Sequence, residues 1–200
     1  MAQKLPASTP NTSVALWTLF GAPPLLRDEN AKAFDELLGR ISDDVCPTDT
    51  IEKIWVWDTA VLTWEIMRYR HAIAGLLTAN ESRGLKIILD MLLGVDKSLN
   101  YADRWALRDP ETVKYVDGLL DLAGLTMEDV RAQTLSVKIN DIERIDGMVT
   151  RLEARRNSIL REIDRRRSTL SAALRKSIEE IEEGEFREIG SSSGKSASPA

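Results

Sequence analysis

The sequence predicts an all-α protein, a helical bundle continued by a long, coiled-coil-like C-terminal helix and flanked by disordered ends. Three observations predict it. Apolar residues recur at spacings of three and four along most of the chain, the period that lines one face of a helix. Side chains able to cap free backbone amides stand where those periodic segments begin, at Asp49, Asp109 and Thr126. No stretch shows the alternation, bounded by turn residues, that marks a strand. Hydrophobic residues make up 43% of the 200 residues, enough for a core. Charged residues make up 30%, above the usual quarter, which suits exposed helices.

The elements follow in order. Residues 1–13 are polar, carry Pro6 and Pro10, and read as a disordered lead with no run long enough for a signal peptide. Val14 to Phe20 is a compact apolar patch, followed by Gly21, Pro23 and Pro24, which forbid a regular element. It is either a strap across the core or a short docking segment, and the cost of leaving Trp17 and Phe20 in water favours the strap. Asp28 can cap a helix with Phe34, Leu37, Leu38, Ile41 and Val45 on one face, ended by Pro47. Asp49 with Glu52 three residues on makes a capping box, and the helix it opens is expected to reach about Leu77. Apolar residues spread nearly all round that helix, as in a central helix touched on several sides. Asn80 can cap a third helix through Leu92, stopped near Gly94, and a shorter piece surrounds Tyr101 and Trp105. Asp109-Pro110 is a start signal: a capping carboxylate, then proline at the first helical position. That helix closes at Gly124, and Thr126 with Asp129 opens the next. The expected organisation is a lead over 1–13, a helical domain over 14–133, a long charged helix over 134–188 and a disordered tail over 189–200.

The long helix carries a heptad-like seam of Ile142, Ile145, Val149, Leu152, Ile159, Ile163 and Leu170, with Arg156 and Arg166 falling where apolar knobs are expected. The apolar pattern runs on through Leu174, Ile178 and Ile181. The same helix is the most basic part of a chain whose net charge is -5. Arg151, Arg155, Arg156, Arg161, Arg165, Arg166 and Arg167 face only Glu153, Glu162 and Asp164, a local +4. The sign then flips, with six glutamates between Glu179 and Glu188. Arginine forks match phosphate oxygens, so a basic helix can lie along a nucleic-acid backbone. These arginines go round the helix rather than along one stripe, which suits a solvated coil at least as well.

Chemistry is sparse. The chain has one histidine, His71, and one cysteine, Cys46. No internal disulfide can form, and a zinc site built mainly of His and Cys is excluded within one chain. No Glu-x-x-His pair, Gly-x-Ser-x-Gly turn or glycine-rich phosphate loop is present. Trp57, Trp64 and His71, seven apart, share a stripe that reads as a packed aromatic ridge or as a ligand platform. No catalytic residue, metal ligand, cofactor or small-molecule substrate is inferred. No apolar run approaches the length of a membrane span, and the expected location is the cytoplasm.

Three stretches carry a resemblance: Asp28-Glu29-Asn30 leading to Phe34-Asp35-x-Leu37-Leu38-x-Arg40-Ile41; Ile51-Glu52-x-Ile54-Trp55-Val56-x-Asp58 with Leu62-Thr63-Trp64-Glu65; and Asp141-Ile142-Glu143-Arg144-Ile145-Asp146 with Glu153-Ala154-Arg155-Arg156-Asn157. Together they resemble uncharacterised all-helical proteins of alphaproteobacteria, hypothetical proteins associated with phage or other mobile elements. The resemblance implies a helical bacterial protein linked to phage or DNA, and it supplies no catalytic residues. Two functions fit the sequence. One is a non-enzymatic interaction or scaffold protein that forms a homo-oligomer, or binds a protein partner, through its long helix. The other is a phage or mobile-element accessory protein that binds nucleic acid through the arginine-rich stretch 151–167.

Overall fold

The computed structural model describes the backbone of residues 12–191 and the side chains of residues 16–181. Six helices follow one another, and no strand occurs among the described residues: α1 (Thr12–Phe20), α2 (Ala31–Val45), α3 (Thr50–Leu93), α4 (Val95–Ala106), α5 (Pro110–Leu122) and α6 (Met127–Ser191). The disordered ends expected from the sequence lie outside the described residues, except that 12–13 and 189–191 are helical. The described residues fall into two compact units, one drawn from the ranges 1–59 and 156–200 and the other from 60–155.

In the first unit the apolar patch after the lead is a helix, α1, packed against α2 with Leu16 only 1% exposed. Leu16 packs inward, as a strap would, while Leu19 on the same helix is 52% exposed. Phe20 stacks on Trp57 at 5.4 Å between ring centroids, and Phe34 meets the same indole edge-on at 5.9 Å. Phe34, Leu38 and Val56 complete this core at full burial. The cap of α2 is Asn30, not Asp28: its Oδ1 accepts from the amides of Lys32 and Ala33 at 3.0 and 3.3 Å. Asp28 lies two residues too early, inside the bend that Glu29 closes by accepting from the Leu26 amide. At the other end Cys46 takes a left-handed conformation, φ 48°, and its amide donates to the Ser42 carbonyl. The following proline disfavours the right-handed helical region for Cys46, so the helix must stop there.

In the second unit the core is Leu85, Ile88, Leu89, Trp105, Val116, Leu120 and Val130, drawn from α3, α4, α5 and α6. The break expected near Leu77 does not occur, and α3 is one helix of 44 residues, roughly 66 Å long. Asn80 caps nothing; its Nδ2 donates back to the Leu76 carbonyl at 2.7 Å, an i−4 bond that leaves the helix continuous. This stretch is paired along its length with α6. Arg70 pairs with Glu153 at 2.6 Å and Glu81 with Arg131 at 3.3 Å, so the two helices run antiparallel. At Gly84 they touch: a Cβ there would sit 2.6 Å from the Val130 carbonyl oxygen and 2.8 Å from the Thr134 nitrogen.

The other expected boundaries agree with the geometry. Gly94, φ 82°, separates α3 from α4. Asp109 accepts from the Thr112 amide, with Pro110 as the first helical residue. The α5 terminus is a Schellman turn about Gly124, φ 68°: Leu125 N–H donates to the Leu120 carbonyl and Gly124 N–H to that of Asp121. Asp129 accepts from the Thr126 amide at 2.8 Å, and the Glu128 amide donates to Thr126 Oγ1. The helix opened there and the long charged helix are one element, α6, of 65 residues and roughly 98 Å.

Candidate interaction surface on the last helix

Three successive stretches of α6 meet different surroundings. In the second unit the seam faces inward: Val149 is buried, and Ile142, Ile145 and Leu152 are half-buried. Here the antiparallel α3 covers the stripe, as the ion pair of Arg70 with Glu153 marks.

The next stretch belongs to the first unit. Ile163 is 3% exposed and Ile159 half-buried. Of the two charged knobs in the seam, Arg166 is accommodated by partners, and so is its neighbour Arg167. Arg166 Nη2 lies 2.6 Å from Asp49 Oδ2, with its guanidinium 5.8 Å over the Trp55 ring. Arg167 reaches further in, donating to Glu52 Oε1 and Oε2 at 3.2 Å and to the Val45 carbonyl. Glu52 is 1% exposed, and its Oε2 also accepts from the Thr48 amide at 2.9 Å. The Arg167 hydrogen bonds, and after them the Thr48 amide, hold the Glu52 carboxyl at about 2, against the opposing effect of its burial. One arginine thus ties together the left-handed end of α2, the capping box of α3 and α6. The capping box is itself modified by this role: Asp49 Oδ1 accepts from the Glu52 amide, but the Glu52 carboxylate turns to Thr48 and Arg167.

Past this clamp the cover ends, because α3 begins at Thr50, beside Arg166 and Arg167. Every described residue from 168 to 181 is exposed. The apolar pattern nevertheless continues through Leu170 (51%), Leu174 (64%), Ile178 (54%) and Ile181 (63%). At about 100° per residue these four fall within roughly an 80° arc, one stripe that prolongs the covered seam. Leu170 therefore sits on the far side of the clamp from the other six seam residues.

The seven arginines do not present themselves as a set. Arg165 is paired with Glu162 on its own helix, Arg166 with Asp49 and Arg167 with Glu52. Arg151, Arg155 and Arg161 are exposed and Arg156 is half-buried, without an ion pair among the described residues. Three of the seven charges are thus already opposed by carboxylates.

Elsewhere the geometry offers little chemistry. Trp57 belongs to the first unit's core, Trp64 is half-buried and His71 is exposed. The imidazole Nδ1 of His71 lies 2.8 Å from the Met67 carbonyl, and the Cys46 thiol donates to the Asp43 carbonyl. An open groove of about 570 Å³ runs along α5, lined by Glu111, Lys114, Tyr115, Gly118, Leu119 and Leu122. It is mostly apolar and brings together no nucleophile and base. Among the described residues no three His, Cys, Asp or Glu side chains converge as a metal site would require, and no helix is long and apolar enough to cross a membrane.

The exposed stripe was only partly visible in the sequence. Leu174, Ile178 and Ile181 keep the periodicity, but whether such residues are covered depends on where α3 starts in space. The bond of Glu52 to Arg167 carries no local signal, since the two lie 115 residues apart. No family model, curated protein or solved structure matches this chain.

Proposed function

We propose that this chain is a non-enzymatic helical interaction protein of the cytoplasm that self-associates through the distal part of α6. The observation that carries the reading is the stripe of Leu170, Leu174, Ile178 and Ile181, which continues a seam covered by α3 upstream and is exposed where α3 is absent. Large apolar side chains in a row on one helix face are unfavourable in water and are covered in the working state of a helical protein. A second copy offers an identical stripe. Four such residues from each copy remove on the order of 900 Å² from water, at the small end of specific interfaces. The association expected is therefore reversible, in the micromolar range, rather than obligate.

The non-enzymatic half of the reading is supported by the placement of the single imidazole and single thiol, each engaged with a backbone carbonyl of its own chain segment. The nucleic-acid reading is weakened by the ion pairs of Arg165, Arg166 and Arg167, which leave a dispersed set of positive charges rather than a phosphate-matching row. Light scattering on the purified chain over a concentration series tests the proposal. Its mass is expected to rise from 22.4 kDa toward twice that value as concentration enters the tens of micromolar. A constant monomer mass, combined with salt-sensitive binding to duplex DNA, would replace self-association with the arginine-rich alternative.

A further inference from the structure

We draw no further inference here: the strongest candidate, the open and mostly apolar groove along α5 lined by Glu111, Lys114, Tyr115, Gly118, Leu119 and Leu122, is one face of a single helix, and nothing in the structure shows what covers it.

Discussion

At the residue scale the chain's most consequential contact is between Glu52 and Arg167. The carboxylate is 2% exposed and the guanidinium 39%, so the two sides of the pair are not equivalent. Removing Glu52 leaves an arginine that can turn to water, whereas removing Arg167 leaves a carboxylate enclosed with only Thr48 to bond it. Arg167→Met is expected to cost about 2 kcal/mol in urea unfolding at neutral pH, below the range for a fully buried pair because Arg167 reaches solvent. Adding Glu52→Gln to Arg167→Met is expected to recover part of that loss, since no charge is then stranded. The same pair sets a pH dependence. The Glu52 carboxyl titrates at about 2 in the folded chain, below its ordinary 4.5, so the unfolded state binds the extra proton between these values. Its contribution is complete above about pH 4.5 and is lost as pH falls toward 2. In Arg167→Met the carboxyl loses the bond that lowers it most, and acid unfolding followed by circular dichroism is expected to begin at a higher pH.

Two glycines, chemically identical in the sequence, are opposite in the fold. Gly75 is exposed in mid-helix with open space around a hypothetical Cβ, while Gly84 is the point where α3 meets α6. Gly75→Ala is expected to stabilise the chain by roughly 0.5–1 kcal/mol through helix propensity. Gly84→Ala is expected to destabilise it by about 2 kcal/mol, because the Val130 carbonyl and Thr134 backbone have to move. Thermal melts of the two variants, compared with the parent chain, decide the matter; equal shifts would mean that the helices do not approach as closely as Gly84 requires.

At the scale of elements, the sequence discloses starts and stops wherever a cap acts locally. Asp109 with Pro110, Thr126 with Asp129, and the turn at Gly124 depend on residues within one helical turn of one another, and all three stand where the periodicity changes phase. Ambiguity enters where a polar side chain has two local options. Asn80 can cap a helix or bond back to the carbonyl four residues earlier, and only the neighbouring α6 makes the second choice the better one. The cap of α2 illustrates the same limit at finer resolution: Asp28, Glu29 and Asn30 are all competent oxygens, and the bend closed by Glu29 leaves the role to Asn30. The α1 segment was legible as buried but not as helical, since its apolar residues follow no single face.

At the scale of the whole molecule, the all-helical class was legible because period, caps and composition agree. The candidate surface was legible only as a pattern. Ile163 and Leu170 are indistinguishable in sequence, yet one is 3% and the other 51% exposed, because α3 begins between them along the axis of α6. A stripe that is core in one stretch and surface in the next is the reason to assign this chain a partner.

The most direct test of this account is sedimentation equilibrium on the full chain beside its Leu174→Gln/Ile178→Gln variant, both substitutions lying on exposed positions that the fold does not use. The parent chain is expected to fit a reversible monomer–dimer equilibrium, and the variant a single species of about 22.4 kDa over the same concentrations. Association that survives both substitutions unchanged, or a parent chain that never departs from the monomer mass, would contradict the claim that the distal stripe of α6 is where this protein meets its own kind.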